Sequence, residues 1–180
     1  MNNEEKNSYV KQQITQTTID LMKQHPFSDL SIIEITTAAK VSRNSFYRNY
    51  ADKEDILFQH VKRLYVDRAD GFQRSGGGSN TELYASLFAH LKDNADFYLL
   101  LKKHGLFHLF LRVLTEHDGA KPEDENIWAY IKSFITYGTY GWIEEWMKRG
   151  MQESAEAMAE LLSSHGMKYS NASYASPSML

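Results

Sequence analysis

An all-α protein is predicted by three features of this sequence. Only three prolines occur in 180 residues, apolar and polar residues rarely alternate with a period of two, and long stretches repeat apolar residues every three to four positions. Hydrophobic residues make up 42% of the chain, enough for a packed core in one large domain or two small ones. The lack of cysteine rules out disulfides and thiolate metal sites. With no positive-then-apolar leader and no run of membrane-spanning length, it leads to the expectation of a reducing cytoplasm. The formal net charge of −3 does not suggest a nucleic-acid binder, yet a DNA footprint needs a single basic face, and whole-chain charge hides local asymmetry. Lys40, Arg43, Arg48 and Lys53, against Asp52, supply such a face.

The first seven residues are polar and expected to fray, after which Val10, Ile14, Leu21 and Met22 mark the inner face of a first helix. His25-Pro26 ends it, because the residue before proline is pushed out of helical geometry. Phe27 and Leu30 then tuck the connection onto the core. Ser31 stands as N-cap of a second helix whose docking stripe is Ile32, Ile35, Ala38 and Ala39, and Ser42 caps a third. That third segment has one buried-type residue, Phe46, amid Arg43, Asn44, Ser45, Tyr47, Arg48 and Asn49, and so is built to face something polar. The pair reads as a helix-turn-helix DNA-binding unit. Asp52 caps a fourth helix, with Asp55 in a capping-box-like position and Leu57, Val61, Leu64 and Tyr65 as its inner stripe.

Three glycines between Arg74 and Asn80 mark a linker, and the domain boundary is placed there. Beyond it, Leu83, Leu87, Phe88 and Leu91 make an amphipathic helix, and two aromatic-rich apolar segments meet near Gly105. A polar loop spans His117 to Asp124, followed by a helix from Asn126 to about Arg149 with apolar residues on more than one face, which calls for two partners. Gly150 fits its left-handed end, and Ala155, Met158, Ala159, Leu161 and Leu162 continue in a last helix. The predicted layout is a helix-turn-helix domain over 8–52, a connecting helix over 53–73, a C-terminal domain over 79–166 and a disordered tail over 167–180.

Ala39-Lys40-Val41-Ser42-Arg43-Asn44-Ser45-Phe46-Tyr47-Arg48-Asn49-Tyr50, then Lys53 and Leu57, resembles the TetR family of bacterial transcriptional regulators. In that family alanine, glycine, valine and serine are followed by three variable places, an aromatic patch and a lysine. The likeness spans about Ile14 to Leu64, and the segment Gly138 to Met151 resembles the family's penultimate helix. It implies a C-terminal ligand-binding and dimerisation domain and a ligand-responsive regulator, by default a repressor. Such a regulator acts as a homodimer on an inverted-repeat operator, with helix four as lever. Lys40 departs from the family's turn glycine, and a side chain forced to positive φ there costs on the order of 1 kcal/mol.

The resemblance makes Ser31, Lys40, Ser42, Arg43, Asn44, Ser45, Tyr47, Arg48, Asn49 and Lys53 the expected DNA contacts. Arg suits guanine and Asn suits adenine in the major groove, Tyr47 matches a backbone-contacting tyrosine, and Lys53, a cation at a helix start, calls for a phosphate. Phe46 and Tyr50 are read as core. The expected effector pocket is Phe88, Phe97, Tyr98, His104, Phe107, His108, Trp128 and Tyr137, with Phe110 nearby, and the effector is a small molecule of open identity. The expected dimer surface is Ile135, Gly138, Gly141, Trp142, Trp146, Leu161 and Leu162. His104 and His108 stand four apart, a spacing that can hold a metal, but no matched carboxylate or third histidine is fixed in sequence, so neither metal nor cofactor is expected. A protein–protein adaptor using the helix-turn-helix as scaffold is the alternative reading. It leaves the basic face unexplained. An enzyme reading finds no nucleophile with a base among His104, His108 and His117.

Overall fold

Residues 3–166 are described by a computed structural model, and the tail predicted over 167–180 lies outside them. Among the described residues the chain is helical, with no strand. Helix α1 (Asn3–Gln24) stops at Pro26, and a 3-10 turn (Phe27–Asp29) leads to α2 (Ile32–Ala38) and α3 (Arg43–Tyr47). Helix α4 (Lys53–Arg74) is followed by α5 (Asn80–Asp93), α6 (Ala95–Lys103), α7 (His108–Asp118), α8 (Asn126–Lys148) and α9 (Ala155–Leu161), which runs into a π turn at Leu162–Gly166.

Side-chain caps open these helices at Ser31, Ser42 and Asp52, where the sequence places them, and also at Ser79, within the stretch read as a linker. Ser31 with Glu34, and Ser79 with Glu82, each form a reciprocal capping box. Asp52 accepts the Asp55 N–H at 2.8 Å while the Asp55 carboxylate accepts the Ala51 N–H at 3.0 Å. The ends share one device. After α4, α6 and α8 the chain turns through a left-handed glycine (Gly76, Gly105, Gly150), and the next residue's N–H reaches back five residues to a helix carbonyl. The glycine-rich segment is thus a helix cap, followed directly by the Ser79 box.

The chain divides into two compact units, and the division differs from the predicted boundary at the glycines. One unit holds residues up to Tyr65 together with Asp96–Phe110, and the other holds Val66–Ala95 with the chain from Leu111 on. The first unit is cored by Ile14, Met22, Ile35, Phe46, Leu57, Val61, Tyr98 and Leu101. The physical reason is that α6 buries Tyr98 and Leu101 completely in this core, whereas the glycines only cap the end of a helix. The second unit is cored by Leu87, Phe88, Leu91, Ile143, Trp146, Met147 and Ala159, with α9 packed along α5.

Candidate nucleic-acid interface

Helix α2 ends as the glycine-capped helices do, but with lysine in the glycine's place. Lys40 has φ 55°, its N–H bonds to the Thr37 carbonyl at 3.1 Å, and the Val41 N–H bonds to Thr36 at 3.0 Å. The turn keeps its shape and the lysine carries the strain. Its side chain is exposed. Two residues on, the Ser42 hydroxyl accepts the Ser45 N–H at 3.1 Å and lies 2.9 Å from the Ser45 hydroxyl, starting α3.

Helix α3 is held by a single deep anchor. Phe46 is fully buried and packs edge-on to Tyr47 (centroids 5.3 Å) and tilted to Tyr50 (5.7 Å). Tyr50 is buried too, its hydroxyl 3.2 Å from Thr15 Oγ1 and 3.4 Å from the Lys11 carbonyl, which it reaches as donor. With Phe46 turned inward, Arg43, Asn44, Tyr47 and Arg48 turn outward and are exposed, and among the described residues their side chains make no hydrogen bond or ion pair. Together with Lys40 they form a surface of three cations, one amide and one phenol, the donor set that phosphates and major-groove base edges accept from.

Other expected contacts are engaged inside the head. The Ser31 hydroxyl donates to Glu34 Oε2 at 2.7 Å, which holds the Glu34 carboxyl below its ordinary range. Asn49 donates its side-chain N–H to the Ser45 carbonyl at 2.8 Å, and α3 closes after five residues, so that Arg48 and Asn49 lie beyond its last helical residue. Lys53 is the clearest correction. Its ammonium donates to the carbonyls of Phe27 (2.7 Å), Ser28 (2.9 Å) and Leu30 (2.8 Å), one for each N–H it has, so no donor is left for a phosphate. The dipole conflict that called for an anion is answered by three carbonyl oxygens.

The expected pocket residues separate. Phe97, Tyr98, Phe107 and Phe110 interlock in the first unit, with centroid distances of 5.4 Å (Phe97–Tyr98), 6.4 Å (Tyr98–Phe107), 5.5 Å (Tyr98–Phe110) and 5.5 Å (Phe107–Phe110). Phe88 packs edge-on to Trp146 at 5.3 Å in the second. These rings fill one another's space. His104 is taken by backbone, its Nε2 bonding to the Met22 carbonyl at 2.9 Å and its Nδ1 accepting the Phe27 N–H at 3.3 Å. His108 faces the Gly105 carbonyl and, at 3.4 Å, Glu54, so the two histidines do not converge on a common point. Trp128 and Tyr137 are 54% and 58% exposed, which removes them from an interior pocket.

Helix α8 has two apolar faces, and aromatic spacing alone does not say which one is inside. Thr136, Thr139, Ile143, Trp146 and Met147 point inward, whereas Ile127, Tyr130, Phe134 and Tyr137, at intervals of three, four and three residues, are exposed. Of the expected dimer residues, Trp146 and Leu162 are buried within the chain and cannot form its outer surface. Ile135, Gly138 and Trp142 are half-buried, and Gly141 and Leu161 exposed. Among the described residues a Cβ added at Gly138 or Gly141 meets nothing within 4 Å, so no described neighbour requires glycine there. Gly141 and Trp142 also line a groove of about 310 Å³ with Glu145, Trp146, Arg149, Glu153 and Met158. Ile127, Tyr130 and Phe134 were not singled out from sequence, although their offset from the Thr136–Thr139–Ile143 face was there to be read.

Residues 14–59 match the family described as bacterial regulatory proteins, tetR family, and residues 80–165 match a transcriptional regulator C-terminal region. The chain is similar to the uncharacterized HTH-type transcriptional regulator YxbF of Bacillus subtilis (strain 168), with 22% identity over 163 residues. That match takes in 82% of this chain, and the chain spans 42% of the relative's length. With a head and a C-terminal region that each match a segment of these regulators, the chain belongs to the tetR family of bacterial regulatory proteins.

Proposed function

We propose that this chain is a DNA-binding transcriptional regulator that sits as a homodimer on an inverted-repeat operator in the cytoplasm, represses by occluding a promoter, and is released by a small molecule. The observation that carries the reading is the outward set Lys40, Arg43, Asn44, Tyr47 and Arg48 on a capped turn and helix whose position Phe46 fixes. One five-residue helix reads too little sequence by itself. Two such helices about 34 to 36 Å apart enter successive major grooves on one face of the duplex.

The exposed stripe Ile127, Tyr130, Phe134 and Tyr137 supports the second copy, since aromatic side chains are enriched at interface centres and here lie in one row. Effector release follows the family's C-terminal region, and a ligand that binds the two states unequally by about 1 to 3 kcal/mol changes operator affinity roughly 5- to 150-fold.

The test is selection of duplexes from a randomised pool, followed by a salt titration. An enriched palindrome whose affinity falls steeply with salt is expected, while binding that salt leaves unchanged favours the adaptor reading.

A further inference from the structure

We propose that His104 is a positioning residue for DNA binding: one imidazole holds the break between α1 and α2 in register and so sets where the recognition helix lies. The proposal rests on the DNA-binding reading above.

Pro26 creates the need. In a continuing helix the Met22 carbonyl would accept the N–H of residue 26, but proline has none, and the Phe27 N–H, turned out of the helix, has no carbonyl four residues back to meet. His104, at the end of α6, answers both, accepting from the Phe27 N–H at Nδ1 (3.3 Å) and serving the Met22 carbonyl from Nε2 (2.9 Å). An N–H pointing at Nδ1 makes that nitrogen the acceptor, so the proton sits on Nε2 and the ring is held in one tautomer. From the other side Lys53 takes the carbonyls of Phe27, Ser28 and Leu30.

The turn is therefore gripped by α6 at its N–H and by α4 at its carbonyls. Ser31 begins α2 with its capping box, and α2 passes through the hydrogen-bonded Lys40 turn into α3. Apolar contacts tolerate sliding, whereas hydrogen bonds are lost within about 1 Å of displacement, so the Phe27 bond to Nδ1, which lies in the turn leading into α2, fixes α2 relative to the end of α6 in a way that packing alone does not, while the Met22 bond satisfies the end of α1.

Three variants separate positioning from mere support. Asparagine carries an acceptor near the place of Nδ1 and keeps the Phe27 bond. Glutamine carries a donor near the place of Nε2 and keeps the Met22 bond. Wild type and the His104→Ala, His104→Asn and His104→Gln chains are titrated with the duplex that wild type selects from a randomised pool, and their melting temperatures are measured alongside. Tenfold or greater loss of affinity is expected for His104→Ala and His104→Gln, with His104→Asn within threefold of wild type although Asn and Gln chains melt alike. A folded His104→Ala chain that binds within twofold of wild type, or affinities that simply follow melting temperature, overturns the proposal; should His104→Ala not fold, the Asn and Gln pair decides. Wild type that selects no duplex at all sinks the DNA-binding reading and this proposal with it, an outcome distinct from wild type binding and the variants binding equally.

Discussion

The ammonium of Lys53 lies 2.7 Å from the carbonyl oxygen of Phe27 and 4.8 Å from the centroid of that residue's ring. Lys53→Ala leaves three carbonyls without their charged donor, and a stability loss of about 1–3 kcal/mol is expected. Chemical denaturation measures it. The salt slope of DNA binding should stay that of wild type, and a slope lowered by about 1 would return Lys53 to the phosphate contacts.

Lys40→Gly removes the strain of a side chain at φ 55°. Relief of about 1 kcal/mol raises the melting temperature by roughly 2–4 °C in a chain of this size. Affinity for all duplexes should fall together, with the salt slope lower by about 1, and unchanged binding would leave Lys40 without a phosphate role.

Arg43→Ala and Asn44→Ala are expected to relax base preference at one position each, by about 1–3 kcal/mol of discrimination, with little effect on stability because both side chains are exposed. Binding profiles over a panel of single-base operator variants check this, and profiles identical to wild type exclude base reading by these two residues.

Phe134→Glu puts a charge in the middle of the exposed α8 stripe, where Phe134 is 65% exposed. The folded subunit should tolerate it, with stability within about 0.5 kcal/mol. Self-association measured by sedimentation should weaken at least tenfold; an undisturbed dimer would place the interface elsewhere.

Burial holds the imidazoles of His60 and His90 down to about 4, with Arg63 and Arg68 adding to the effect. Unfolding returns both to about 6.5, so the unfolded chain takes up protons first as pH falls. The stability these neutral rings carry is therefore complete above about pH 6.5 and is lost as pH drops from there towards 4. Melting temperature recorded between pH 7.5 and 4.5 should fall through that window, and the His60→Gln/His90→Gln chain should show a flatter profile.

The sequence by itself determined most helix starts and breaks, though not the early end of α3, because caps and breaks are local: Ser31 with Glu34, Ser42, Asp52 with Asp55, Pro26 and the left-handed positions Lys40 and Gly150 act on backbone within a few residues of themselves. It also determined that α3 has one inward residue and several polar ones, since a short helix with a single large apolar side chain can dock only one way. What the tertiary structure decided is where long side chains and two-faced helices find partners. Lys53 and His104 meet the backbone of Phe27 from 26 and 77 residues away, distances in sequence over which spacing carries no information. On α8 the sequence marks both apolar faces alike, and only the packing of Thr136, Ile143 and Trp146 into the core leaves Tyr130, Phe134 and Tyr137 facing out.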